Sequence, residues 1–161
     1  MTADHRREDF AVALHNSSQS VFISGGDVNG SRSDTVLRFS LLTLQFCSIA
    51  SMKHRRYKHS SLVHSDVLYV FGGSDPNWET MNSIEIIDLA DPEASWAILL
   101  IECFTKRYNA CVASLDPTQL IICGGFQEGS YLSDVILLDT RTNEARNALE
   151  APFAFRNSWH N

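Results

Sequence analysis

Leu68-Tyr69-Val70-Phe71-Gly72-Gly73 is an apolar run of strand length that ends in two glycines. The construction occurs twice more. Val21-Phe22-Ile23-Ser24 leads into Gly25-Gly26, and Leu120-Ile121-Ile122-Cys123 leads into Gly124-Gly125. The leading glycines stand at 25, 72 and 124, so they are 47 and 52 residues apart. A second marker keeps the same pace: Arg7, Arg56, Arg107 and Arg156 lie 49, 51 and 49 residues apart. Self-similarity at such a period is the signature of a repeat array in which each unit is one small supersecondary module. The apolar runs are nearly continuous. A half-solvated strand alternates, so continuity predicts strands covered on both faces by neighbouring sheets. The glycine pair supplies a sterically permissive exit from a crowded strand.

Working outward from these runs, each repeat reads as four short strands bounded by turn residues. The first has strands at 10–14 and 20–24 around the polar turn 16–19, then 35–40 and about 43–49. The second has 60–64, a tight Ser65-Asp66 turn, 67–71, 83–88 and 95–101. The third has 109–114, a turn through Asp116-Pro117, 119–123, 134–139 and, less sharply marked, 145–149. No apolar stripe of helical period runs over ten or more positions. The expected fold is all-β: a β-propeller of three four-stranded blades plus the start of a fourth, incomplete or open. The expected organisation is a tail at 1–6 and an array over 7–161. Its blades fall at about 7–52, 56–103 and 107–150, with a partial fourth at about 153–161.

Composition narrows the function. The chain has 161 residues and a formal net charge of −6, which argues against a general nucleic-acid binder and gives no reason to expect a membrane surface as partner. The polar segment Met1 to Asp9 lacks the apolar core of a secretory leader, and no apolar run approaches the ~20 residues that span a bilayer. A cytoplasmic location is expected. Cys47, Cys103, Cys111 and Cys123 form no C-x-x-C pair, so they read as buried free thiols and not as a zinc or redox site. Asn16-Ser17-Ser18 and Asn29-Gly30-Ser31 match the glycosylation sequon, and without a secretory leader the matches read as incidental.

These residues resemble a kelch repeat. Its motif is an apolar strand ending in a double glycine, then a loop tyrosine, a polar-flanked strand and a tryptophan, with an arginine commonly opening the next unit. Gly72-Gly73 with Trp96 fits it, as does Gly124-Gly125 with Tyr131. Departures are Phe46 in place of tryptophan and no loop tyrosine in the first repeat, Met81 or Asn82 at the tyrosine position in the second, and only Ala145 or its neighbours at the tryptophan position in the third. The resemblance assigns Gly25, Gly26, Gly72, Gly73, Gly124, Gly125, Arg56, Arg107, Arg156, Trp96 and Tyr131 to the repeat itself. It implies a protein-binding propeller, of the kind found in ubiquitin-ligase adaptors, actin-associated proteins and signalling scaffolds. A few family members are enzymes, including copper oxidases and sugar epimerases. The array stops inside a repeat, which reads as a piece of a longer propeller. The alternative is a ring completed by other copies through the open apolar blade faces.

The conspicuous charged cluster is Lys53-His54-Arg55-Arg56-Tyr57-Lys58-His59, on the link between the first two blades. Lys53, Arg55 and Lys58 could receive an acidic peptide there, arginine offering bidentate contacts to carboxylates; the alternative is a solvated loop. Trp78, in the polar loop 74–82, either anchors a partner or covers a blade edge. Tyr131 is expected to pack. His59 and His64 lie five positions apart across one short strand, so their side chains point to opposite sides. No H-E-x-x-H, G-x-S-x-G or phosphate-cradling loop occurs, and no cofactor or metal is expected. The expected function is a non-catalytic interaction scaffold gripping an unidentified protein with loops on one face. The alternative is a fragment of a kelch enzyme of the copper oxidase or sugar epimerase type.

Overall fold

The computed structural model describes residues 6–150 of the chain. Arg156 and the expected fourth unit lie outside the described residues. Within them are three four-stranded antiparallel sheets, each a simple meander. The first holds Ala11–His15, Ser20–Ser24, Val36–Ser40 and Gln45–Ile49. The second holds Ser60–His64, Val67–Phe71, Ile84–Asp88 and Ala97–Leu99. The third holds Cys111–Asp116, Gln119–Cys123, Asp134–Asp139 and Glu144–Glu150. The third sheet opens at Cys111, two residues later than expected, because Asn109 sits in the left-handed region at φ 53° and cannot extend a strand. Asp9 (φ 51°) and Lys58 (φ 55°) kink the other two links just before their own sheets begin.

The sheets pack face to face. Ala13, Phe22 and Val36 of the first meet Leu68, Val70, Ile87 and Trp96 of the second, with Met52 between them. On its other side, Tyr69, Phe71 and Ile84 of the second sheet meet Leu120, Ile122, Ile136 and Leu138 of the third. The sheets approach each other most closely at their opening strands, Ser60–His64 lying between Ala11–His15 and Cys111–Asp116. Toward the outer strands they splay, and the wedge between the first two leaves a groove of about 460 Å³ lined in part by Arg38, Ser48, Asp88 and Asp91. The arrangement is a fan whose pivot runs beside the opening strands.

Double coverage of the second strands holds only in the middle of the fan. Leu68, Tyr69, Val70 and Phe71 are all buried. In the first sheet Ser20, Phe22 and Ser24 are buried, while Val21 and Ile23 are half-covered. In the third, Leu120 and Ile122 are buried, while Ile121 and Cys123 are half-covered. The apolar composition is the same, but an end sheet meets only one neighbour among the described residues. Phe46 shows the consequence. Continuing the register, it stands where Trp96 stands in the second sheet, yet it is 60% exposed, whereas Trp96 is buried and donates its indole N–H to the Ala50 carbonyl of the first sheet at 2.8 Å. The expectation of buried thiols is corrected for two of the four: Cys111 is exposed on the outward face of the last sheet, and Cys47 is exposed on the outer strand of the first, where the sheets splay apart.

The double-glycine corners are tight. Gly72 and Gly73 adopt φ 57° and 97°, and a Cβ on Gly73 would stand 2.8 Å from the Tyr57 carbonyl oxygen. A Cβ on Gly72 would collide with the Arg107 carbonyl oxygen. Both the backbone conformation and the approach of the neighbouring link therefore demand glycine.

Candidate functional site

Two of the repeat arginines, Arg56 and Arg107, each join two sheets. The Arg56 backbone reaches back to the first sheet: its N–H donates to Ser33 O at 3.0 Å and its carbonyl accepts from Gly26 N at 2.8 Å. Its guanidinium reaches into the second, donating to Gly72 O at 2.7 Å, Ser83 Oγ at 3.1 Å and Glu85 Oε1 at 2.5 Å. Arg107 repeats the design one sheet on. It donates to Met81 O and accepts from Gly73 N through its backbone. Its guanidinium donates to Gly124 O at 2.9 Å and grips Asp134 with two bonds of 2.8 and 2.6 Å. Arg7 donates to Gly25 O and Thr35 Oγ1. The links that carry Arg56 and Arg107 are thereby held against both neighbours, and loop faces on them become rigid platforms.

Glu85 organises the basic link, and sequence reading passed over it. It is fully buried, and besides Arg56 it accepts hydrogen bonds from Lys53 N at 2.6 Å, His54 N at 3.0 Å and His54 Nδ1 at 2.9 Å. A buried carboxylate needs such compensation. The available signal was a lone acid in the apolar strand Ile84-Glu85-Ile86-Ile87. Burial pulls the Arg56 pKa below the ordinary arginine value, and the Glu85 charge and hydrogen bond oppose that pull. His59, also buried, is pushed down to about 3 by burial and then by the Arg56 charge, against the hydrogen bond with Ser24. It is a neutral ring at the seam of the first two sheets.

With Arg56 withdrawn into the seam, Lys53 and Arg55 line a groove of about 500 Å³ between the link, the loop 75–83 and Lys106. Arg55 is 62% exposed and its contact with Asp34 is long, at 3.8 Å. Lys106 precedes Arg107 as Arg55 precedes Arg56, a correspondence that could have marked it beforehand. Asp75 and Glu79 line the same groove, and Asp75 is engaged by the Asn77 and Glu79 backbone N–H groups.

Lys58 and Trp78 belong to a different cluster, built on the ring of Tyr57. The Trp78 ring meets Tyr57 edge-on at 5.6 Å. Arg32 of the first sheet's loop, paired with Asp27, lies 3.9 Å from the Tyr57 centroid and 4.5 Å from that of Trp78. Lys58 Nζ sits 5.5 Å from Tyr57 and 5.9 Å from Tyr108. Tyr108 continues to Phe126, and Phe126 to Tyr131, with centroid distances of 5.3 and 4.9 Å. Trp78 therefore spans the boundary between two sheets while remaining 70% exposed. Arg32 fills the position that Tyr131 takes in the third sheet's loop, each being the second residue of a short strand paired back to the double-glycine loop.

The histidines divide as their spacing implies: His59 bonds Ser24 of the first sheet, and His64 bonds Ser114 and Pro117 O of the third. His15, between Ser17, Ser18 and Asp66, has the composition of a hydrolytic triad. Ser17 and Asp66 converge on the same nitrogen, Nε2, and His64, at the equivalent position one sheet on, likewise bonds the next sheet but through Ser114 and a backbone carbonyl. These histidines are pins between neighbouring turns.

Residues 6–152 match the family model described as the KLHDC2/KLHL20/DRC7 Kelch-repeats domain. No curated protein matches the chain.

Proposed function

The chain belongs to the kelch-repeat family, whose domains generally mediate protein–protein interaction and are typically non-catalytic, and on that premise we propose that it is an interaction scaffold for an acidic partner segment. The observation that carries this reading is the groove with Lys53, Arg55 and Lys106 on its walls. Its backbone is held by Glu85 and by two repeat arginines, so little ordering entropy is lost on docking. Arg55 is free to give a carboxylate two parallel hydrogen bonds, since its present surface pair with Asp34 is weak. The four free thiols suit a reducing compartment, in keeping with a cytoplasmic role.

An array of Asp- and Glu-bearing peptides, each beside its Asn or Gln counterpart, tests the reading. The expected result is selective capture of acidic peptides that is lost in the Lys53→Glu/Arg55→Glu variant and kept in Lys58→Glu, which alters only the Tyr57 cluster. Equal capture of acidic and amide peptides, or capture untouched by the double reversal, removes the groove as the docking site.

A further inference from the structure

Ser40-Leu41-Leu42-Thr43-Leu44-Gln45 closes the outer hairpin of the first sheet, and Asp139-Thr140-Arg141-Thr142-Asn143-Glu144 closes that of the third. The two turns are built alike. Leu41 N–H donates to Gln19 O at 2.8 Å, and Thr140 N–H donates to Thr118 O at 2.9 Å. The side chains of Ser40 and Asp139 accept from the backbone N–H groups of Thr43 and Thr142. Leu44 and Asn143 both occupy the left-handed region, at φ 55° and 58°. Their chemistry is opposite. The third sheet fills the turn with Thr, Arg, Thr and Asn, which suit a solvated turn, whereas the first places three leucines there.

The leucines carry two costs. Leu42 and Leu44 are each 72% exposed. Leu44 also holds a backbone conformation that asparagine enters readily and leucine enters only with strain. The exposure belongs to the position and not to what flanks the sheet. The first sheet leaves the turn bare with a following sheet packed against it. The third leaves Arg141 and Asn143 bare with a preceding sheet packed against it. Strain and apolar exposure that the fold does not use point to a contact outside it.

The surroundings specify the partner's charge. The turn stands at the end of the fan opposite the double-glycine corners, and the turns that share this end carry Asp66, Asp88, Asp91, Glu93, Asp116 and Asp139. Gln19, which holds Leu41, shares its turn with Ser17, and Ser17 donates to Asp66. Asp88 adjoins Leu89, whose N–H donates to Asp66 O. Hydrogen bonds from His15, from the Thr118 backbone and from the Arg141 backbone hold Asp66, Asp116 and Asp139 below the usual carboxylate range, so they stay ionised. Arg141 is paired with Asp139, and Arg38 is half-buried in the wedge. We propose that the Leu41–Leu44 turn is a docking knob for a basic amphipathic helix of a partner protein. The leucines meet the apolar stripe of the helix, and its lysines or arginines meet the carboxylates of the neighbouring turns. The groove with Lys53 and Arg55 lies at the opposite end, so both surfaces can be filled at once.

Fluorescence anisotropy on the whole chain tests this with a labelled synthetic helix whose leucines form one face and whose lysines form the other. Two companion helices replace lysine by glutamate, or leucine by alanine. The expected result is capture of the leucine–lysine helix alone, weakened about tenfold or more in Leu42→Thr/Leu44→Asn and weakened also in Asp88→Asn/Asp91→Asn. Asparagine keeps the oxygen that each of these aspartates offers to its own turn. The leucine variant copies the third sheet's turn, so its urea midpoint should equal or exceed that of the parent. A lower midpoint overturns the proposal by making the leucines structural. No capture, or capture unchanged in either double variant, overturns it as well. Binding to phosphatidylcholine vesicles that needs both leucines overturns it in favour of a lipid surface. A dimer in light scattering that the leucine variant abolishes overturns it in favour of a second copy.

Discussion

The middle sheet and the first sheet are built from the same repeat, yet they differ in what covers them. Leu68 to Phe71 is buried on both sides, whereas Val21 and Ile23 are half-covered. Arg56 and Glu85 form a pair with no solvent access at either side chain, whereas Arg7 donates to Thr35 Oγ1 through an exposed hydrogen bond. Equal motifs thus carry unequal energies. A motif residue acquires its energetic weight from its neighbours, so repeat position alone does not rank the effect of a substitution.

The comparison is broken most severely at the buried pair. Glu85→Gln leaves the Arg56 guanidinium without its counter-charge and is expected to cost about 3–5 kcal/mol in urea unfolding, against about 1 kcal/mol for Arg7→Ala. Equal losses would mean that burial does not distinguish the two seams. Next comes the aromatic pair. Trp96→Ala should cost about 3–5 kcal/mol, and Phe46→Ala within about 0.5 kcal/mol. A larger Phe46 effect would report a covered first sheet.

A further contrast between the seams is set by pH. His59 titrates at an ordinary 6.5 when unfolded and at about 3 in the folded seam. Below 6.5 the unfolded chain takes up a proton that the folded chain refuses. The stability tied to the neutral ring is therefore complete above 6.5 and declines as the pH falls toward about 3. Replacing His59 with Gln should flatten the stability profile across that window. A profile with the same slope in both proteins would show that the loss arises elsewhere.

The strands Ser20–Ser24, Ser60–His64, Val67–Phe71, Gln119–Cys123 and Asp134–Asp139 were legible to the residue. Apolar runs and turn residues are local signals, and the double glycines end three of these runs. The late start of the third sheet was missed because the left-handed kink at Asn109 has no glycine to announce it. At the candidate site, Lys53 and Arg55 were visible as charges on a link. Their separation from Lys58 and Trp78 was not, because it depends on which side of the Tyr57 ring each side chain takes. Glu85 was invisible as an organiser, since its four donors come from residues about 30 positions earlier in the chain.

The chain alone carried the pitch of the repeat, the positions of most strands and the need for glycine at the corners, because these follow from interactions between residues near in sequence. Which faces are covered, which arginine is buried, and where cations gather into a groove were decided only when the sheets met. Burial and electrostatic pairing are properties of the contact between sheets, and identical motifs answer differently to one neighbour than to two.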